Sequence, residues 1–391
     1  MSDRFVDVAV VGAGVIGLAC AWRLAQRGLD VAVLDPAPGR GASRAAAGML
    51  APVTELHPGE ESLLRLGLES ARRYAGFVAE LEQASGVSPG YRSTGTLAVA
   101  LDAGDRAVLE ELRVYQQRLG LQAESLTRTE CRRLEPMLSP SVHAGLLVHG
   151  DHSVDNRRLT AALLAAVGRA GGALVRERVA EVTTAAGAVT GVRLDGGGAL
   201  GAATVVLAAG CRSGEVGGLP DDVLPPVRPV KGQILRLHVP QSLRPFLQRT
   251  VRGTVHGSGV YLVPREDGEL VVGATQEERG FDEQVTAGGV YELLRDAHAL
   301  VPGLTELALV ETTAGLRPGS PDNAPMVGPT MVPGLVVATG HHRNGVLLTP
   351  VTADAVAELI ADGSLPDLME PFSPLRFSPQ PSGGSSAWTS S

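Results

Sequence analysis

The chain has 391 residues, of which 44% are apolar and 19% charged, a balance typical of a globular protein with a sizeable core. Its formal net charge is -8, it has no run rich in Lys and Arg, and aromatic residues make up only 3% of the sequence. Because nucleic-acid binding needs a basic face and often aromatic stacking surfaces, no nucleic-acid partner is expected. No segment approaches the roughly 18 uninterrupted apolar residues of a membrane helix, so no membrane partner is expected either.

The three cysteines, Cys20, Cys131 and Cys211, are far apart and match no CxxC or metal-ligand spacing. This usage fits a reducing compartment, and neither disulfides nor a metal site are expected. The N-terminal apolar run contains Asp7 and is followed at once by a glycine turn, so it predicts a strand and not a signal peptide. The sequence therefore predicts a cytoplasmic protein.

The predicted elements begin with a βαβ unit: a strand at residues 5–11, a glycine turn with a helix to about residue 28, and a strand from Asp30. Helical patterns then cover residues 60–84, 105–119, 127–135 and 158–168. Strand character appears at 91–101, in hairpin-like segments at 173–193, and in AATVVLAAGCRSG at 202–214. Residues 225–310 read as strands with one helix at 288–299.

At GLVVATGHHRNG the sequence again predicts a buried strand and a turn, followed by a helix that starts near Val346. This order predicts an α/β protein in which a discontinuous, Rossmann-like dinucleotide-binding domain carries an inserted, sheet-rich domain. The first domain would comprise residues 1–90, 150–222 and 312–371, and the inserted α+β domain residues 91–149 and 223–311. Residues 372–391 are rich in Pro, Ser and Gly and are predicted to be a disordered tail.

Three glycines after the first strand, Gly12, Gly14 and Gly17, have GxGxxG spacing. In this pattern the first glycine makes the tight turn, the second lets a pyrophosphate approach the backbone, and the third lets helix and strand pack closely. Asp35 ends the next strand, where a carboxylate can accept the hydroxyls of a ribose and would repel a 2′-phosphate. The pattern indicates a dinucleotide other than NADP; the alternative is a purely structural βαβ turn.

The glycines and the acid do not distinguish NAD from FAD. The segment GASRAAAGMLAP, residues 41–52, follows the second strand and consists mostly of small residues. Small side chains would let a large planar ligand lie against the backbone. A flexible loop with few side-chain demands is the other interpretation of this segment.

Segments along most of the chain, from about Val6 to Gly363, resemble the D-amino-acid oxidase-type family of FAD-dependent amine oxidases. They are VVGAGVIGLACAWRLAQRG, SRAAAGMLAP, HGDHSVDNRRL, VRPVKGQILRL, GVYLVPREDGELVVGAT, GFDEQVTAGGV, AGLRPGSPDNAPMVGP and ATGHHRNGVLLTP. The first is shared by many flavoproteins, whereas GLRPGSPDNAP combined with GHHRNGVLLTP is more specific. The resemblance implies an FAD-binding domain and a substrate domain whose antiparallel sheet covers the isoalloxazine ring.

The resemblance also implies which residues contact FAD. Beside the three glycines, these are Val15 and Ile16 at the pyrophosphate, Asp35 and Pro36 at the ribose, Ala42 and Ser43 at the phosphates, Ala47, Gly48 and Met49 near the flavin ring, Val179 on the adenine side, and His341, His342, Arg343, Asn344, Gly345, Val346 and Leu347 at the pyrimidine edge. Related sarcosine oxidases attach flavin through a cysteine in their C-terminal half, and no cysteine follows Cys211 here. Non-covalent FAD is therefore expected.

The segment TGHHRNGVLL, residues 339–348, has two adjacent histidines with no HxH, HxxxH or carboxylate spacing, so it does not indicate a metal site. One interpretation is loop histidines satisfied by local hydrogen bonds. The one we favour is that N–H groups at the following helix start, with Arg343, favour the negative charge of reduced flavin. For Arg343 a surface salt bridge is the alternative, while the resemblance places it at the substrate pocket.

Arg317 is the stronger candidate for binding a substrate carboxylate, because a planar guanidinium can form two parallel hydrogen bonds to it. Tyr261 lies on a strand pattern from which its hydroxyl could reach the second carboxylate oxygen, although an ordinary half-buried aromatic is the alternative. Met49 completes the expected substrate contacts. Thr313 and His342 stand where the family commonly has aromatic residues, so the substrate preference stays open.

The activity implied by the resemblance is oxidative deamination of a small amino acid: glycine, with sarcosine and small D-amino acids as further candidates. A bound flavin can take a hydride directly from a neutral amine, so no side-chain base is required. Dioxygen would reoxidise the flavin and give hydrogen peroxide, and the imine would serve thiazole and thiamine synthesis or hydrolyse to glyoxylate and ammonia. A homo-oligomer is expected. The alternatives are another D-amino-acid or sarcosine oxidase or dehydrogenase, and a non-catalytic flavin-binding protein.

Overall fold

Two large β-sheets form the framework of residues 4–378, the part of the chain that the computed structural model describes. The strands are β1 Phe5–Val11, β2 Val31–Leu34, β3 Met49–Leu50, β4 Thr96–Ala100, β5 Glu124–Thr127, β6 Ala144–Val148, β7 His152–Ser153, β8 Ala173–Val175, β9 Val179–Ala185, β10 Ala188–Leu194, β11 Ala199–Leu207, β12 Arg228–His238, β13 Thr250–Val255, β14 Ser258–Pro264, β15 Glu269–Gly273, β16 Ala308–Gly319, β17 Met326–Pro329 and β18 Leu335–Thr339. The helices are α1 Val15–Gln26, α2 Ala42–Ala45, α3 Glu61–Ser85, α4 Ala103–Arg118, α5 Arg128–Leu134, α6 Asn156–Arg169, α7 Ala287–Leu300 and α8 Thr349–Asp362.

The first sheet has the order β17-β18-β11-β1-β2-β8, with β10 pairing with β11 and β9 pairing with β10. The pairs from β18 to β8 are parallel. Their apolar runs are buried because α1, α3, α6 and α8 cover one face, while β9, β10 and their neighbours pack on the other. This is the dinucleotide-binding architecture that the sequence predicts.

The carboxyl ends of β1, β2, β11 and β18 lie along one edge of this sheet. From β1 the chain continues through α1 to β2 on one side, whereas β11 and β18 occupy the other side. Such a switch point leaves a crevice outside the strand ends, where ligands of open α/β sheets bind. The turns after these strands therefore face one common space.

The second sheet has the order β16-β12-β15-β14-β13-β4-β6-β5 and is antiparallel except for the parallel pair of β13 with β4. Apolar residues of this sheet and of α7 form a separate core. The α/β class with a predominantly antiparallel second sheet, predicted from the sequence, is confirmed. No helix of the described chain combines the length and apolar character needed to cross a bilayer.

The structure differs from the sequence-based expectations at three boundaries. The last helix was predicted from near Val346, but α8 begins at Thr349, after a short 3-10 turn at His342–Asn344. The predicted domain boundary at 311/312 falls inside β16, since this strand pairs with β12 along its whole length; the domain division itself stays a proposal. Residues 372–378 of the predicted tail are folded, because Phe372 is buried and Arg376 pairs with Asp322. The remainder of that prediction, residues 379–391, lies outside the described residues.

Candidate cofactor and active site

The glycine turn after β1 allows β1, α1 and the loop after β11 to meet. Gly12 has a φ of 107°, and a Cβ there would lie 2.4 Å from the carbonyl oxygen of Ala208. A Cβ at Gly17 would lie 2.0 Å from the carbonyl oxygen of Gly12. Both distances are far below van der Waals contact, so this close approach of backbones requires glycine at the two positions.

The start of α1 has free N–H groups. Gly14 is its N-cap and offers no side chain, and the first turn contains no acidic residue. The Val15 N–H donates to the Ser43 hydroxyl at 3.0 Å, while the N–H groups of Ile16 and Gly17 have no acceptor within the described residues. The unpaired N–H groups and the helix dipole make this end electropositive, which suits a pyrophosphate.

Asp35 follows β2 and accepts hydrogen bonds from the backbone of two turns. Its Oδ2 accepts from the Ala13 N–H at 2.8 Å and its Oδ1 from the Ala37 N–H at 2.7 Å. Each carboxylate oxygen has further lone-pair capacity, and Asp35 lines the crevice. The carboxylate can thus hold the glycine turn in place and also accept ribose hydroxyls.

A cavity of about 930 Å³ runs from Asp35 past the glycine turn to the second sheet. The predicted site residues that line it are Gly12, Gly14, Val15, Ile16, Asp35, Pro36, Ala42, Ser43, Ala47, Gly48, Met49, Val179, Tyr261, Arg317, His341, His342, Arg343, Gly345 and Val346. The structure does not bring Gly17, Asn344 and Leu347 to this wall. Gly17 lies under the turn, and Asn344 and Leu347 are buried on the far side, where the Leu347 carbonyl accepts from the Ser70 hydroxyl.

The segment Ala47–Met49 lines the cavity and packs against Ile234 and Val263 of the second sheet. Arg265, at the end of β14, is buried there and donates to the carbonyl oxygens of Ala47 and Val154 and to Asn156 Oδ1. Burial lowers the pKa of its guanidinium to about 10, so it is still protonated at neutral pH. Arg265 is not identifiable from the sequence, because its partners are distant along the chain and no local motif indicates them.

Replacing Arg265 with methionine is expected to weaken FAD binding by about tenfold or more. The substitution keeps most of the apolar stem but leaves the buried carbonyls of Ala47 and Val154 without donors, at a cost of about 1–3 kcal/mol. Titration of the apoprotein with FAD, followed by flavin fluorescence, measures the dissociation constant. Arg4→Met is a matched control, since Arg4 makes only an exposed ion pair with Asp30; an equal effect of the two substitutions would contradict the assignment.

Arg317 on β16 and Tyr261 on β14 face the cavity from the second sheet. Arg317 Nη1 donates to the Thr275 carbonyl at 3.2 Å and makes a longer contact of 3.4 Å to the Lys231 carbonyl. Its Nη2 and Nε have no acceptor among the described residues, so one edge of the guanidinium is available for a carboxylate. Gly232 makes room for it, since a Cβ at that position would lie 2.4 Å from Nη2.

Burial raises the pKa of the Tyr261 hydroxyl, and the Arg317 charge offsets this only in part. Tyr261 therefore stays protonated at neutral pH and can donate a hydrogen bond. A Cβ at Gly273, on the neighbouring strand, would lie 2.5 Å from the hydroxyl oxygen. A glycine thus lies against each of the two candidate carboxylate-binding groups.

The two adjacent histidines have different environments. His341 Nε2 lies 3.1 Å from the Thr352 hydroxyl on α8, and burial lowers its pKa to about 3. His342 has a φ of 46°, and both of its ring nitrogens are buried without a protein partner within the described chain. Burial, with Arg343 and Arg317 adding repulsion, lowers the pKa of His342 to about 4, so both imidazoles are neutral at pH 7. No group of three metal-ligating side chains occurs in the described residues.

Arg343 makes an ion pair with Glu60, so its charge is partly compensated. This contact corresponds to the salt-bridge alternative, although Arg343 also lines the cavity. The N–H groups of Val346 and Leu347 precede α8 and have no acceptor in the described part of the chain. These N–H groups belong to the segment for which the sequence predicts an interaction with the negative charge of reduced flavin, and that role stays a prediction.

Several further polar residues line the cavity and were not identified from the sequence; three of them are Glu55, His57 and Arg252. Glu55 and His57 belong to the loop between β3 and α3, and Arg252 lies on β13. Arg252 Nη1 is 3.4 Å from Glu55 Oε1. Burial lowers the pKa of His57, and the positive charge of Arg343 contributes. The only sequence signal is a concentration of polar residues in PVTELHPGE after the small-residue segment.

The turn, the electropositive helix start and the cavity lined by the small residues Ala47 and Gly48 fit a flavin dinucleotide. The family described as FAD dependent oxidoreductase (DAO) matches residues 7–359. The chain belongs to this family: it is an FAD-dependent oxidoreductase. The resemblance noted in the sequence and the choice of FAD are thereby confirmed.

Individual relatives cover most of the chain. It is 35% identical over 377 residues to the glycine oxidase of Geobacillus kaustophilus, covering 95% of this chain and 97% of that protein. The crystal structure of a glycine oxidase from the same organism superposes with a TM-score of 0.87 at 33% identity, covering 95% and 98% of the two chains. The hydrogen cyanide synthase subunit HcnC of Pseudomonas aeruginosa is 32% identical, with coverage of 97% and 98%.

The bifunctional protein ThiO/ThiG of Synechocystis sp. is 38% identical over 381 residues, covering 95% of this chain. The chain spans about half the length of that relative, 54%.

Proposed function

We propose that the protein catalyses FAD-dependent oxidative deamination of glycine. The observation that carries this proposal is the exposed edge of the Arg317 guanidinium beside Tyr261, in a cavity that also contains the dinucleotide-binding turn. Glycine oxidase relatives that match over nearly the full length support the same substrate class. Sarcosine and small D-amino acids are the next candidates.

In the proposed reaction Arg317 binds the substrate carboxylate and Tyr261 donates a hydrogen bond to its second oxygen. FAD held at the glycine turn and beside Ala47–Met49 would supply the hydride acceptor for conversion of the amine to the imine, and dioxygen would take up the electrons as hydrogen peroxide. Two fixed contacts to the carboxylate orient the α-carbon, and orientation of this kind accounts for much of enzymatic rate enhancement. His341 and His342, with pKa values of about 3 and 4, are weak bases at neutral pH, which fits a reaction that starts from the neutral amine.

The proposal predicts that glycine bleaches the flavin absorption of the purified protein under anaerobic conditions and that air restores it. The measurement is the visible spectrum during the addition of glycine, repeated with sarcosine and D-alanine at equal concentrations. Hydrogen peroxide formed on aeration would be quantified in the same samples. A flavin band that none of the three amines changes would contradict the proposal.

The alternatives lead to different spectra. Another amine oxidase of this family would be reduced by sarcosine or D-alanine much faster than by glycine. A dehydrogenase would be bleached by its substrate and reoxidised by a quinone but only slowly by air. A non-catalytic flavin binder would be yellow and unchanged by every amine.

Several finer expectations belong to this proposal. The imine would supply thiazole formation for thiamine or hydrolyse to glyoxylate and ammonia; the ThiO/ThiG relative supports the first fate. The contacts assigned to individual site residues, the non-covalent attachment of FAD, a cytoplasmic location and a homo-oligomer also stay predictions.

A further inference from the structure

One wall of the cavity includes two residues of the segment 51–57, here called the wall segment, together with Arg252. The segment connects β3 to α3 and presents Glu55 and His57 to the cavity. Arg252 and Tyr261 are direct partners on the neighbouring strands β13 and β14, so their side chains lie on the same face of the sheet. Contacts that hold the wall segment in place therefore also hold the residues around Tyr261, the candidate substrate-binding group, in place.

Asp151, a fully buried residue between β6 and β7, holds the middle of the wall segment. Its Oδ1 accepts from the Val53 N–H at 3.1 Å, and its Oδ2 accepts from the Thr54 N–H at 2.7 Å and the Thr54 hydroxyl at 2.6 Å. A buried carboxylate is costly unless it is hydrogen-bonded, and three donors from two successive residues satisfy this one. Asp151 does not itself line the cavity.

The contacts continue from Asp151 to the cavity surface. The Thr54 hydroxyl, which donates to Asp151, lies 3.4 Å from Arg252 Nη1, and Arg252 in turn pairs with Glu55 at 3.4 Å. From the opposite side the buried Gln116 of α4 donates its amide N–H to the Val53 carbonyl at 2.9 Å. Both polar groups of the Val53 backbone are thus held by side chains from outside the wall segment.

We propose that Asp151 is a positioning residue for the substrate end of the cavity: it fixes the wall segment so that Glu55 and Arg252 are oriented beside Tyr261. The expected effect of Asp151 on substrate binding rests on the proposed amine oxidation, whereas its effect on the orientation of the wall segment does not. Burial raises the pKa of the Asp151 carboxyl to about 6, while its donors hold it down, as expected for a buried carboxylate satisfied mainly by neutral donors. The role is one of geometry, since Asp151 has no contact with the space that a substrate would occupy.

The test compares Asp151→Asn with Glu135→Gln in the FAD-bound protein. Glu135 is a matched control, because it too is buried and accepts from two successive backbone N–H groups, those of Gln248 and Arg249, each at 3.0 Å, but neither Glu135 nor these residues line the cavity. In both variants an amide replaces a carboxylate of the same size and loses one acceptor. The control therefore includes the cost of disturbing a buried carboxylate and, in addition, loses the ion pair of Glu135 with Arg249.

We expect Asp151→Asn to raise KM for glycine by about tenfold, with a kcat change of less than about threefold and with FAD retained, because loss of orienting contacts weakens substrate binding more than the chemical step. Amide hydrogen exchange in peptides covering residues 50–57 should be faster than in the wild type. Glu135→Gln should change neither KM nor that exchange. Unchanged KM in Asp151→Asn, or an equal rise in both variants, would overturn the inference.

If Asp151→Asn does not fold, Gln116→Met is the second variant, because it removes the donor to the Val53 carbonyl on the other side of the same segment. It should raise KM in the same selective way, and an unchanged KM would overturn the inference. Hydrogen exchange needs no substrate. A wild type that oxidises no amine would therefore defeat the proposed function, whereas equal exchange at residues 50–57 in the wild type and Asp151→Asn would defeat the role of Asp151.

Discussion

Replacing Arg317 with methionine is expected to raise KM for glycine by between roughly 30-fold and several thousand-fold while FAD stays bound. Loss of one partner from a buried, hydrogen-bonded charge pair costs about 2–5 kcal/mol, and each 1.4 kcal/mol is about a factor of ten. Arg317 lines the cavity with one guanidinium edge free of acceptors among the described residues, so its removal affects the substrate carboxylate and not the dinucleotide turn. Anaerobic flavin reduction measured against glycine concentration gives the binding constant, and the flavin spectrum gives the FAD content.

Two control variants sharpen this result. Arg317→Lys keeps the charge but cannot form two parallel hydrogen bonds, so it should be intermediate between wild type and Arg317→Met. Arg343→Met removes another arginine of the cavity, whose charge is already paired with Glu60, and should have a smaller effect on glycine binding. A larger effect at Arg343 than at Arg317, or loss of FAD from Arg317→Met, would show that the carboxylate site is assigned to the wrong residue.

Replacing Gly12 with alanine is expected to abolish FAD binding and to lower the melting temperature markedly. A side chain at a φ of 107° is strained, and the added Cβ would lie 2.4 Å from a backbone oxygen that cannot move without displacing the loop after β11. The strand, the helix start and that loop would separate, and the electropositive helix start would no longer lie at the phosphate position. FAD content of the purified protein and thermal unfolding measure the two effects.

Gly28→Ala is the matched control for this prediction. Gly28 also has a positive φ, 82°, but a Cβ there would meet nothing within 4 Å. Replacing Gly28 with alanine should therefore lower the free energy of unfolding by only about 1–2 kcal/mol, the cost of a side chain in the left-handed region, and should leave FAD binding intact. If Gly12→Ala retained FAD and lost no more stability than Gly28→Ala, close backbone contact would not be the reason for the glycine.

Much of the first sheet and of its helices could be predicted from the sequence because the signals are local. The strand at Phe5–Val11 and the helix at Glu61–Ser85 agree with the predicted ranges to within a residue, since period-2 and period-3.6 patterns need only neighbouring positions. The later start of the last helix was missed because a 3-10 turn, here at His342–Asn344, often precedes an α-helix and has no sequence pattern that separates it from the first turn of that helix. The short strand Glu124–Thr127 was also missed, because it pairs with the distant strand Ala144–Val148.

The sequence by itself determined the glycine turn, the acidic residue Asp35 after the second strand and the dinucleotide-binding class of the protein. Turn geometry and the chemistry of a helix start depend on residues that are close together in the chain. Only the tertiary structure decided which polar groups meet at the cavity. Arg265 reaches the Ala47 carbonyl across 218 positions, and Asp151 reaches Thr54 across 97. Such contacts depend on how two sheets pack against each other, and no local periodicity encodes that packing; this is why the wall segment and its support appear only in the folded chain.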